Sequence, residues 1–131
     1  MKDDPNPAAQ EALVTKGTTA YNELLQKLPA DDANRERRAK AFNNAAWTLA
    51  WRGGYLANEG LYSQAVQRLT EALRLAPDDY VYNRNMAIIL KRFKKPPSAP
   101  TAFLEKARAA AAKEKEWAED FDRLQKYIES K

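Results

Sequence analysis

Apolar residues along this chain recur at alternating steps of three and four, and no segment sustains an alternation of period two. From Pro7, a residue that the first turn of a helix accepts, Val14, Thr18, Tyr21, Leu25 and Leu28 keep that rhythm up to a stop at Pro29. Ala30-Asp31-Asp32 reads as a turn, with Asp32 or Asn34 as the N-cap of a second helix from about Ala33 to Asn58. Its inward line is Ala39, Phe42, Ala46, Leu49, Gly53 and Leu56, and Glu59-Gly60 breaks it. A third helix runs from Leu61 to Ala76, with Ala65, Leu69, Ala72 and Leu73 inward, and Pro77-Asp78-Asp79 ends it. A fourth, Tyr80 to Lys94, uses Tyr82, Met86, Ile89, Leu90 and Phe93. Residues 94–100 form a Pro-rich loop in which Ser98 caps, and Pro100 enters, a last helix from about Ala99 to Glu129. The pattern predicts an all-α chain of about five helices, one domain over residues 1–131, with residues 1–6 as a flexible N-terminus.

Composition agrees with the helices. Hydrophobic residues make up 44% and charged residues 31%, too apolar for disorder, and only four glycines interrupt a chain rich in helix formers. No run of 18 apolar residues occurs, so no membrane insertion is expected. Met1 to Pro7 lacks the apolar stretch of a secretory signal. The expectation is a cytoplasmic protein if Met1 is the native start, and a periplasmic or secreted one if a signal has been removed. The absence of cysteine and histidine removes thiolate chemistry, the commonest general base and the commonest metal ligand. With no metal-ligand spacing, no Gly-rich phosphate loop and no nucleophile–base pair, no enzyme, cofactor or metal is expected. The net charge of +4 suits an acidic partner and is far from a nucleic-acid-binding signature.

The most specific pattern lies between Trp47 and Asp79, where Gly53, Gly60, Tyr62, Ala65, Leu69, Ala72 and Pro77 stand at the intervals of one helix–turn–helix unit. Ala65 and Ala72, seven apart on one face, leave room for a neighbouring helix, whose Gly53 lets the backbones approach. Leu69 fills the space between the alanines, and Gly60 permits a tight left-handed turn. This stretch resembles a tetratricopeptide repeat, whose unit is about 34 residues long. Arg52, Leu49 and Leu56 depart from the family's preferences in the first helix. In the next unit Asn83, Met86, Ala87 and Leu90 take the family's positions, after which the frame breaks and resumes late at Phe103, Ala107 and Ala110. Upstream, Gly17, Tyr21 and Leu24 match a preceding half-unit weakly.

The resemblance implies a TPR-like array of helical hairpins, closed by a long C-terminal capping helix, that binds a peptide or partner helix on a concave face. Its partner-binding positions are Trp47, Ala50, Trp51, Gly54 and Asn58, followed by Val81, Arg84, Asn85, Ile88, Lys91 and Arg92. That pairs an aromatic wall with a basic one and suits an acidic peptide with an apolar anchor. Trp47 and Trp51 read equally well as core residues. Of the carboxylate-clamp residues in some family members, only Asn85 has a match. A second contact is carried by Trp117, Phe121, Leu124 and Ile128, which continue a seven-residue seam interrupted only at Glu114. They either cap the array or, if the helix outruns the body, build a homodimer. Arg35, Arg37, Arg38 and Lys40, with Lys91 and Arg92, offer a weaker nucleic-acid reading.

Overall fold

The computed structural model describes residues 16, 19–28, 30–56, 59–93, 95 and 98–130, the side chains of 52–56 and 98 excepted. Among the described residues all regular structure is helical. We number the helices α1 (residues 19–27), α2 (Arg35–Leu56), α3 (Glu59–Leu75), α4 (Tyr80–Arg92), α5 (Ser98–Lys113) and α6 (Ala118–Glu129). Short 3-10 turns precede α2 at Asp32–Asn34 and α6 at Lys115–Trp117. The chain divides between Leu75 and Ala76 into two compact units.

The first unit is built on the hairpin of α2 and α3, which pair more extensively than any other two helices. Its contact face follows the expected lines: Ala39, Phe42, Ala46 and Leu49 from α2, and Tyr62, Ala65, Leu69 and Ala72 from α3, are buried. Ala65, Leu69 and Ala72 are fully so. Small residues at the seam let the α2 and α3 backbones approach, and the larger side chains interdigitate between them. α2 ends at Leu56 and α3 begins at Glu59, each two residues earlier than the sequence suggested. Glu59 already belongs to α3, so Gly60 is helical in its first turn and makes no left-handed turn. Glu59 is favourably placed there, beside the positive end of the helix dipole. The cap before α2 also differs from expectation: Asp31, rather than Asp32 or Asn34, accepts from the Asn34 backbone N–H at 3.1 Å.

The second unit stacks α4, α5 and α6. Asp79 caps α4 by accepting from the Tyr82 N–H at 3.1 Å, so Pro77-Asp78-Asp79 acts as the stop and start the sequence indicates. Asn83, with no exposed surface, donates to the carbonyls of Pro77 and Asp79 at 3.0 and 2.9 Å and fastens this turn to its helix. Tyr82, Met86, Ile89 and Leu90 are buried as expected. Ala99 and Pro100 stand in the first turn of α5 as expected, while Ser98, expected as its cap, is already helical. On α5 the buried line is Leu104, Ala107 and Ala111, which leaves Phe103 and Ala110 half-buried on its flank.

The largest difference concerns the last helix. The expected continuous helix from Ala99 to Glu129 is interrupted at Glu114, which is extended (φ −124°, ψ 101°), and α6 turns back onto α4 and α5. No glycine or proline lies between Thr101 and Lys131, so local propensity does not cause the break. Burial does. The bend brings Phe121 and Leu124 into one cluster with Tyr80, Leu104, Ala107 and Ala111, with Trp117 and Ile128 packed at its edge.

The expected flexible stretch at 1–6, the start of the first helix and Asn58 lie outside the described residues.

The seam between α2 and α3 has no room for a larger side chain at Ala65. Ala65→Leu should lower stability by about 1–3 kcal/mol, whereas Gln64→Leu at the exposed neighbour should stay within about 0.5 kcal/mol. Urea unfolding followed by circular dichroism checks both.

Candidate functional site

In the first unit, Trp47 and Trp51 lie one turn apart on α2 and remain 36% and 54% exposed. Neither is a core residue. Arg37, Lys40, Asn44, Trp47 and Trp51 follow one another at steps of three and four and are all exposed, forming one stripe along the outside of the helix. Ala50, expected on the binding face, is buried instead.

The basic cluster at the start of α2 is divided between two jobs. The Arg38 guanidinium donates from Nη1 to the carbonyls of Leu25 and Leu28 at 3.1 and 2.8 Å, closing the C-terminal end of α1. It also lies 5.8 Å from the centre of the Phe42 ring. Arg35 donates to the Leu75 carbonyl at 3.1 Å, at the end of α3, and pairs with Asp32 at 3.3 Å. Each cation meets carbonyls that a helix end leaves without partners. Arg37 and Lys40 have no ion pair among the described residues.

In the second unit the expected basic wall faces inward onto α6. Arg84 pairs with Asp120 at 3.4 Å and donates to Asn85 Oδ1 at 3.2 Å, and Asn85 is buried. The Lys91 ammonium donates to the carbonyls of Tyr127, Ile128 and Ser130 and to Ser130 Oγ, with 3.2 Å to Ile128 and 2.8 Å to the hydroxyl. It also lies 4.8 Å from the centre of the Tyr127 ring, so it closes the end of α6. Val81 and Ile88 pack against the buried cluster, and Arg92 is exposed. The expected second contact is likewise enclosed within its own unit. Phe121 and Leu124 are buried, while Trp117 stacks on Tyr80 with ring centres 4.8 Å apart and 17° between planes. Those four side chains are therefore no exposed stripe, because the bend at Glu114 turns them onto α4.

Asp120 is the polar centre of this contact. Tyr80 donates its hydroxyl proton to Asp120 Oδ2 at 2.6 Å, beside the Arg84 pair, and Arg123 stands 3.9 Å from the other oxygen. Burial, and after it the hydrogen bond to a carboxylate, pushes the Tyr80 phenol well above its ordinary value. Sequence reading missed Tyr80, Asn83 and Asp120. The signal for Asp120 was masked because Glu119, Asp120 and Asp122 look alike as a solvated acidic run. Asp120 and Asp122 both make the local pairs that such a run suggests, with Arg123 at 3.9 Å and Lys126 at 3.6 Å.

A cleft of about 380 Å³ between the start of α4 and α5 is lined by Asp78, Lys106, Lys113, Glu114 and Trp117, among others. Its charged lining is mixed, with the carboxylates of Asp78, Asp79 and Glu114 beside the ammonium groups of Lys106 and Lys113. No group of three His, Cys, Asp or Glu side chains placed to hold a metal ion occurs among the described residues, and no helix there is long and apolar enough to cross a membrane. Compared with known family models, curated proteins and solved structures, the chain matches none.

The raised phenol gives a pH dependence of known sign. The folded state holds the Tyr80 proton more tightly than the unfolded chain, so its contribution is whole below about pH 10 and is lost as pH rises above it. The stability gap between wild type and Tyr80→Phe should hold constant up to about pH 10 and narrow steadily above it in urea unfolding. A gap that stays constant there too would contradict the assignment.

Proposed function

We propose that this chain is a non-enzymatic protein-interaction module of TPR-like design, and that its docking face is the outer stripe of α2. One observation carries the reading: two tryptophans, one turn apart, stand in solvent on the helix whose opposite face makes the main hairpin contact. With 36% and 54% of their surface in water, the two indoles together can remove roughly 200 Å² on docking, at about 25 cal/mol per Å². Tryptophan and arginine are the residues over-represented among those that dominate interface energies. Arg37 and Lys40 on the same stripe add a positive flank that steers an acidic partner. The TPR-like part of the proposal is supported by the α2–α3 hairpin, whose buried Tyr62, Ala65, Leu69 and Ala72 are four of the seven residues that carry the resemblance.

The nucleic-acid reading loses support. Of the cations it used, Arg35, Arg38 and Lys91 are engaged with backbone carbonyls at helix ends. The basic-wall version of the peptide groove loses Arg84 to the Asp120 carboxylate and Lys91 to the end of α6, and the aromatic stripe is what remains.

Peptides selected by display on the full chain, then measured by fluorescence anisotropy, test the proposal. They should carry acidic residues beside a large apolar anchor, and Trp51→Ala should weaken them by at least about tenfold. Arg37→Glu should weaken them less, and mainly at low salt. Peptides bound equally well by a Trp47→Ala, Trp51→Ala double variant would refute the docking face.

A further inference from the structure

The face that α4 and α5 present to α6 has the anatomy of a helix-binding groove. It is apolar along its floor, with Tyr80, Leu104, Ala107 and Ala111 covered by Phe121 and Leu124. Polar contacts fix the occupant at both ends. Near the start of α6, Asp120 receives Tyr80 and Arg84, and at its end Lys91 gathers the carbonyls of Tyr127, Ile128 and Ser130. The groove therefore recognises register and polarity as well as apolar surface.

The segment that joins α6 to this groove is unusual in its composition. Lys113 to Ala118 contains only helix-forming or helix-tolerant residues, with neither glycine nor proline to enforce a bend. The seven-residue seam from Phe103 to Ile128 runs through it, broken only by Glu114. The bend is held by Glu114 itself. Its extended backbone leads into the 3-10 turn at Lys115–Trp117, and its carboxylate accepts from the Trp117 indole at 2.9 Å. Composition thus favours a straight α5–α6 helix, and the Glu114–Trp117 contact together with docking of α6 on its own α4 and α5 opposes it. A straight helix carries α6 away from its own groove and leaves two complementary surfaces open, the groove and the Phe121–Leu124 face. A second copy offers the same two surfaces, and reciprocal docking restores every contact of the closed unit except those at the bend.

We propose that the α4–α5 groove takes α6 from a second copy of this chain, giving a reciprocal dimer in which residues 113–118 become helical. The bent monomer and the exchanged dimer share the groove contacts, so concentration and the hinge decide between them. A dilute chain closes on itself because its own α6 has the higher effective concentration. This inference is independent of the docking face on α2.

Two pairs of variants test it. Lys115→Pro fits the bend, because proline is accepted at the start of a helical turn and pushes the residue before it towards the extended region that Glu114 already occupies. The same proline breaks a straight helix. Glu114→Ala does the reverse: it removes the indole contact and favours continuous helix. Refolded at the highest soluble concentration and measured by sedimentation velocity, the dimer fraction should rise in the order Lys115→Pro, wild type, Glu114→Ala. In the second pair, one chain carries Arg84→Asp and the other Asp120→Arg. Each closed monomer then sets like charges against each other, whereas exchange between the two variants restores an opposite pair at both grooves. Refolded together, they should give roughly tenfold more dimer than either alone. A mixture no more dimeric than its components, or one dimer fraction shared by Lys115→Pro, wild type and Glu114→Ala, overturns the proposal.

Discussion

Helices leave their last carbonyls without intrahelical partners, and in this chain that constraint decides what the basic residues do. A glycine just past the helix end is the common remedy, but none of the four glycines follows α1, α3 or α6. Cations from other elements take its place. Arg38 closes α1, Arg35 reaches the end of α3, and Lys91 closes α6. Each contact satisfies orphan acceptors and sets a positive charge at the negative end of a helix dipole. Two of them also tie together elements that are distant in sequence: Arg35 stands 40 residues from Leu75, and Lys91 stands 37 from Ile128. Capping here is tertiary structure.

The same constraint shapes the second unit. Lys91 at one end and the Asp120 contacts at the other define where α6 must lie, and the buried cluster between them supplies the apolar surface. Asp120 satisfies the Tyr80 hydroxyl and pairs with Arg84, so the partly buried charge is not left alone. The result is a helix held by directional contacts at both ends yet joined to its unit through a segment that bends with neither glycine nor proline to enforce it. That combination of strong docking and a neutral hinge is what makes exchange between copies possible.

The helical periodicity made most of the fold legible before any coordinates. The inward lines of α2, α3 and α4 were readable because large and small residues alternate there at helical spacing with clear stops, as at Pro77. Two features were not readable. The bend at Glu114 depends on what Phe121 and Leu124 can bury against, which no local pattern contains. The roles of Arg35, Arg38, Arg84 and Lys91 depend on which helix ends and carboxylates come near them. A basic residue on a helix surface looks the same in sequence whether it meets a ligand, a carboxylate or a carbonyl. Trp47 and Trp51 show the converse: both core and surface readings stood open in the sequence, and only their exposure separates them.

The central claim, that these cations are engaged within the chain, is most directly tested by the acylation rate of individual lysines in the native protein, read by mass spectrometry. Lys91 should react roughly tenfold more slowly than the exposed Lys106, Lys113 and Lys126, the factor that about 1.4 kcal/mol of bonding would give. Equal rates at all four positions would contradict it.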